Sequence, residues 1–247
     1  MSNNILFIFE GESTEKIVVD SLTKFFVNNN TIITCAYCTT IYSIYTRIKG
    51  DEYLDTFNLV KDIEVNKDIL QNFKRSDFSQ IYMFFDYDGH ATNASDEKLI
   101  ELLNFFNEET EKGKLYISYP MVEALKHIKC FNTFEDLKVK HENFRNYKQL
   151  VSSECIDKLK HFHCYDKDIW KKTIKSHLKK MNKVVNNVYD FPKNIIDQIT
   201  IFNKQLEKHI KKDRTVAVLS AFPIFLHDYY GNEQLKNLIH SQNTKEI

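Results

Sequence analysis

Two clusters of carboxylates stand where apolar runs end. Glu10-Gly-Glu-Ser-Thr-Glu15 follows Ile5-Leu-Phe-Ile-Phe9, and Asp86-Tyr-Asp88 follows Ile81-Tyr-Met-Phe-Phe85. Hard oxygen ligands with no accompanying Cys or His favour Mg2+ or Mn2+, ions that keep several waters and take further ligands from a substrate phosphate. The matching chemistry is phosphoryl transfer, in which one ion activates water and another stabilises the leaving oxygen. Residues two apart in a strand share a face, so Asp86 and Asp88 can serve one ion if the strand geometry persists that far. Glu123, in Tyr119-Pro-Met-Val-Glu123, follows the last strand of the pattern, and a helix opening at Pro120 or Met121 would carry it to the same strand ends. Taken singly, each acid has an ordinary explanation as a turn residue or a first-turn helix acid. Together they read as a metal set of Glu10, Glu15, Asp86, Asp88 and Glu123. In this reading Glu10 is the general base or bridging ligand, Asp86 and Asp88 hold the ions, and Glu15 and Glu123 complete or orient the set. The catalytic residues are then Glu10, Asp86, Asp88 and Glu123, with Glu12 left in solvent.

The two apolar runs are short and continuous, as strands buried on both faces require. In an open parallel sheet, ligands bind beyond the carboxyl ends of the strands, which is where these acids fall. Between the runs the pattern predicts a helix over Glu15–Val27 with Ile17, Val18, Leu22, Phe25 and Phe26 at helical spacing. It then predicts a strand over Thr31–Tyr42 and a helix within Glu52–Phe73. A helix over Asp96–Glu111 and a strand over Lys114–Tyr119, stopped by Pro120, follow. Alternating strands and helices imply an α/β fold with a mainly parallel sheet flanked by helices. From about Thr133 the pattern turns helical, over Phe134–Leu150, Trp170–Val185 and Ile195–Lys211. The chain thus reads as a catalytic domain over residues 1–130 and a basic, mostly helical domain over 131–247, with a soft boundary and no internal repeat.

Charge separates the halves. Residues 1–123 carry 11 Lys and Arg against 20 Asp and Glu, and residues 124–247 carry 23 against 14, although the 247-residue chain is neutral. An acidic half concentrates metal ions and a basic half holds phosphates; alternatively the opposite charges dock the halves together. No apolar run approaches the roughly 20 residues that span a bilayer, Met1-Ser-Asn-Asn lacks the features of a signal peptide, and an odd number of cysteines, five, fits reduced thiols. A cytoplasmic protein is expected, with no membrane partner.

The acidic signatures resemble those of the TOPRIM domain found in topoisomerases, primases, OLD nucleases and RloB-like proteins. A strand ending in Glu-Gly precedes a strand ending in Asp-x-Asp. Glu10, Gly11, Thr14 and Glu15 match the Glu-Gly-x-x-Thr-Glu of RloB-like proteins, and Pro120-Met-Val-Glu123 is similar to their Pro-x-x-Glu. After Glu123 the chain continues Ala-Leu-Lys-His127, where the family pattern has Leu-Trp and apolar residues. The resemblance covers roughly the first half of the chain. It implies a TOPRIM-like sheet with divalent metal on Glu10, Glu15, Asp86, Asp88 and Glu123, and a nuclease acting in bacterial anti-phage defence. No Gly-rich loop of the Walker type is present, so nucleotide-driven control would come from a partner ATPase. The expected substrate is RNA, possibly tRNA, or DNA; a non-catalytic binding or regulatory module beside such an ATPase is the alternative.

Other residues were weighed for chemistry. Lys16 and Lys148 could stabilise charge on a phosphate, although solvated positions are the ordinary place for lysines. The run Lys158–Lys183, with Phe162, Tyr165 and Trp170 interleaved, could follow a nucleic-acid backbone and stack its bases, or its aromatics could be core. Cys35 and Cys38 have zinc spacing, and His161, His163 and Cys164 could join them, but the first pair lies in a strand-like run where cysteines act as small apolar fillers.

Overall fold

The computed structural model describes residues 3–28, 30–38, 41–51, 53–87 and 95–240. The chain divides into two compact units, 1–122 and 123–247. In the first, β1 (Asn3–Phe9), α1 (Thr14–Phe26), β2 (Thr31–Tyr37), α2 (Ile41–Gly50), α3 (Thr56–Lys61), α4 (Lys67–Leu70), β3 (Gln80–Asp86), α5 (Asp96–Phe105), β4 (Asn107–Glu108) and β5 (Gly113–Ser118) follow in order. The strands form one sheet in the order β2-β1-β3-β5-β4. Every pairing is parallel except that of β4 with β5. This is the α/β, mainly parallel, helix-flanked sheet that the alternating pattern implies.

The continuous apolar runs are buried on both faces. Ile5 to Phe9 and Ile81 to Phe85 are 4% exposed or less. Phe7 packs against Tyr82 and Phe84 at ring separations of 5.9 and 5.0 Å, and Phe84 stacks on Tyr116 at 5.7 Å. Helix α1 buries Val18, Val19, Leu22 and Phe26, while Ile17, expected inside, is 43% exposed. At the opposite end of the sheet Gly113 has φ +103°, and a Cβ there would stand 3.0 Å from Met83 Cε, so only glycine lets β5 begin so close to β3.

Several boundaries differ from expectation. Strand β2 ends at Tyr37 because the buried Asn66 meets it there. The Asn66 side chain accepts the Tyr37 N–H at 2.8 Å and donates to the carbonyls of Tyr37 and Val60 at 2.7 and 2.8 Å. One side-chain amide thus closes part of the sheet's outer edge, as a further strand would. The single helix expected within Glu52–Phe73 is instead α3, capped by Asp55, a 3-10 turn at Glu64–Asn66 and the short α4. The helix expected to reach Glu111 stops at Phe105, and Asn107–Glu108 turns back to pair with β5.

The second unit is mainly helical: β6 (Lys138–Lys140), α6 (Tyr147–Glu154), α7 (Lys167–Asn186), α8 (Gln198–Gln205), α9 (Lys211–Asp213), β7 (Thr215–Ala217), α10 (Ala221–Tyr230) and α11 (Asn232–His240). The helix expected over Phe134–Leu150 is a correction: short 3-10 turns flank β6, which pairs antiparallel with β7, and only α6 is α-helical. Lys138-Val-Lys140 has the period of a strand, with Val139 buried between exposed lysines. Between α8 and α9 the chain makes a π-helical turn, Leu206–Ile210. The long helix α7 buries Trp170, Ile174, Leu178 and Met181 and also polar groups. His177 donates from Nε2 to the Leu125 carbonyl at 3.3 Å and accepts the Ser220 N–H at Nδ1 at 3.2 Å, a pattern open only to the neutral ring. Lys180, also fully buried, donates to the Leu137 carbonyl and lies 4.2 Å from the Phe134 ring centre. Among the described residues no helix is long and apolar enough to cross a membrane.

Two outcomes follow for stability. Asn66→Ala leaves buried backbone groups of Tyr37 and Val60 unpaired and is expected to cost about 2–3 kcal/mol in urea unfolding. Burial pushes His177 down to about 3 and His209 down to about 4. The unfolded chain therefore binds more protons than the folded one between those values and the ordinary histidine pKa near 6.5, so stability falls as pH drops through that window. Urea midpoints measured from pH 7 to pH 5 should decline, and His177→Gln should shallow the slope by close to one proton.

Candidate metal centre

Glu10 is the first residue beyond β1, and Asp86 is the last of β3. The register places Phe9 opposite Phe84, so both acids leave the same end of two neighbouring parallel strands. Their contact is direct: Glu10 Oε2 accepts the Asp86 N–H at 3.2 Å. The backbone of Tyr87 continues the ladder to β5, donating to the Ser118 carbonyl at 2.9 Å. Its ring is buried 5.7 Å from that of Tyr119, and its hydroxyl donates to Asp96 Oδ1 at 3.2 Å. Burial and then the Asp96 carboxylate push the Tyr87 phenol far up, so it remains a protonated donor. Successive strand residues alternate in direction, so with Tyr87 turned into the core the half-buried Asp86 takes the other side.

Glu15 lies in the first turn of α1 and is 7% exposed. A Cβ built on Gly11 would meet Glu15 Oε2 at 3.0 Å and Oε1 at 3.3 Å, so the carboxylate is folded back over the backbone beside Glu10. A Cβ at position 11 would make the Glu15 carboxylate shift by a few tenths of an ångström, and the first turn's unpaired amides favour the negative charge there. Glu12 is exposed, as expected.

The structure therefore sets the Glu10 carboxylate on the Asp86 amide and folds the Glu15 carboxylate over Gly11, the residue after Glu10. Asp88, the second acid of the Asp-x-Asp pair, lies outside the described residues. Glu123 belongs to the second unit, in a 3-10 turn, Val122–Leu125, where a helix from Pro120 or Met121 was expected. Its side chain is 5% exposed; Oε1 is 3.6 Å from the exposed ammonium of Lys148, and Oε2 is buried with no hydrogen-bond partner among the described residues. The exposed Lys16 pairs with Asp20 at 3.1 Å. Among the described residues no three His, Cys, Asp or Glu side chains converge closely enough to hold an ion. The same holds for the cysteines and histidines weighed for zinc: Cys38 is buried, and burial pushes the Cys35 thiol up to about 11, where it stays protonated.

Of the two readings of the lysine run, the structure shows the one in which its aromatics are core. Phe162, Tyr165 and Trp170 are 5% exposed or less, so they are core and present no stacking surface. Lys171 and Lys180 are buried, Lys183 bonds Glu135 and Asp136 at 2.8 Å each, and Lys179 lies over the Tyr189 ring. Sequence reasoning missed the Tyr87 hydroxyl and its bond to Asp96, whose only signal was the tyrosine inside Asp-x-Asp. No protein-family model matches this chain, and searches of curated proteins and of solved structures return no match.

The Gly11 approach can be tested by a double-mutant cycle. Gly11→Ala and Glu15→Ala should be non-additive, with a coupling of about 0.5 kcal/mol or more, because the added Cβ and the carboxylate meet one another.

Proposed function

We propose that the first unit is a TOPRIM-like, Mg2+- or Mn2+-dependent nuclease that hydrolyses phosphodiester bonds of RNA or DNA. The observation that carries this reading is the Glu10 carboxylate reaching from the end of β1 to the Asp86 amide at the end of β3. Two acids from separate sequence motifs are thereby joined where an open parallel sheet binds ligands. The donor set fits a hard divalent cation, since each member offers only carboxylate oxygen.

Glu10 and Asp86 would hold the ion with Asp88, and Glu15 would complete or orient the set. Bound Mg2+ or Mn2+ supplies Lewis acidity that favours deprotonation of water and neutralises charge on the phosphate. Glu10 would take the proton from the attacking water, its carboxylate held by the Asp86 amide. The resemblance to RloB-like proteins supports a role in anti-phage defence with a partner ATPase.

The purified chain, incubated with tRNA, single-stranded RNA and plasmid DNA in Mg2+ or Mn2+, should cleave at least one substrate. Glu10→Ala and the Asp86→Ala, Asp88→Ala double variant should lose about 100-fold or more while melting normally in chelator, the scale expected when charge-stabilising groups are removed. Mn2+ at 100 times its dissociation constant should stabilise the wild type by about 2.7 kcal/mol and leave the double variant unchanged. Absence of both cleavage and metal stabilisation would overturn the proposal in favour of a binding module.

A further inference from the structure

In the second unit, cations from two distant stretches of sequence meet at the β6–β7 ladder. Lys140 is opposite Thr215, and the next residue, His141, donates its N–H to the Arg214 carbonyl at 3.0 Å. Lys138 and Lys140 are 42% and 66% exposed, and Lys211, Lys212 and Arg214 are exposed around the end of α9. Carboxylates border this group: Asp213 accepts from the Thr215 hydroxyl and stands 3.8 Å from Lys138 Nζ, and Lys138 also acts on the Asp136 carboxylate. Lys140 is 3.5 Å from the exposed Glu142, a solvated pair that holds it weakly. Lys208 is excluded, since it is tied to the Val184 carbonyl and to Asn187.

Backbone geometry gives a second, independent indication. Arg214 has φ +52° in the left-handed region, at a helix end where glycine or asparagine is the ordinary residue. Strained non-glycine residues of this kind concentrate at functional positions. The π-helical turn that feeds α9 is another feature found often at such sites. The chain thus keeps a guanidinium where a smaller residue would relax the backbone.

We propose that Lys138, Lys140, Lys211, Lys212 and Arg214 form a face that binds the phosphate backbone of a nucleic acid. Lys138 and Lys140 lie about 7 Å apart along one side of a strand, a separation on the scale of successive phosphates in a single strand. The guanidinium supplies planar, paired donors for a phosphate. The choice of nucleic acid as the polyanion rests on the nuclease reading; the face itself does not depend on the acidic centre.

The test is equilibrium binding of the full chain to a fluorescent single-stranded RNA and to a DNA duplex in EDTA, where no cleavage is needed, across a salt series. A Lys140→Gln, Lys212→Gln, Arg214→Gly variant should bind at least about tenfold more weakly and lose about 2–3 units of the log–log salt slope. Its melting temperature should be unchanged or higher, because glycine relaxes position 214. Lys172→Gln with Lys175→Gln, on the exposed side of α7, should bind as wild type does. Equal affinity and slope in the triple variant, or equal losses in the α7 control, would overturn the proposal. An effect confined to polyglutamate would overturn it in favour of an acidic protein partner. Binding that depends on this face without any metal-dependent cleavage would sustain it while removing the nuclease reading.

Discussion

The acidic edge depends on one constraint, that β1 and β3 are neighbours in the sheet. Strand order puts β1 between β2 and β3. Two parallel strands in register then deliver Glu10 and Asp86 to the same end, and the carboxylate of one bonds the amide of the other. The remaining features of this edge follow from crowding. The Glu15 carboxylate lies close over Gly11, and the Tyr87 ring packs against Tyr119. The Asp86 amide and the first turn of α1 offset negative charge at this edge.

The second unit obeys a different constraint, the cost of burying polar groups. Lys180 is fully buried, and burial pushes its pKa well down even though Asp136 opposes the shift. Its position is made tolerable by the Leu137 carbonyl and the Phe134 ring. His177 is similarly held, with both ring nitrogens engaged and the Phe134 ring edge-on at 4.7 Å. His127 bridges the Tyr147 hydroxyl and Glu154 at 2.9 Å each, and Lys129 holds the other oxygen of Glu154 at 2.7 Å. These networks specify one packing because each buried group has a named partner whose loss would leave it uncompensated.

Much of the sheet was legible in the sequence because strands buried on both faces must be continuously apolar, and few other elements of that length are. The helix α7 was legible for a related reason: expected over Trp170–Val185, it runs Lys167–Asn186, with a capping aspartate, Asp166, before it. Phe134–Leu150 was misread because apolar residues three or four apart also satisfy 3-10 turns around a short strand. The alternation at Lys138-Val-Lys140 was the contrary signal, but three residues are too few to outweigh a longer pattern. At the acidic edge the types of residue were legible, whereas the bond from Asp86 to Glu10 was not, since strand order and register are set by long-range packing.

Charge shows most clearly why composition does not locate a surface. The lysine-rich run around α7 is conspicuous in sequence, yet α7 is covered on more than one side, which buries Lys171 and Lys180, and neighbouring acids or rings engage Lys179 and Lys183. Lys138 and Lys140 are less conspicuous, but the period of two keeps both on the solvent side of β6. The ladder to β7 then adds cations from more than seventy residues away. A helix spreads a run of lysines around its axis, while a paired strand sums cations from separate segments on one face. The density of exposed charge is therefore a product of secondary structure and pairing, and it can peak away from the richest stretch of sequence.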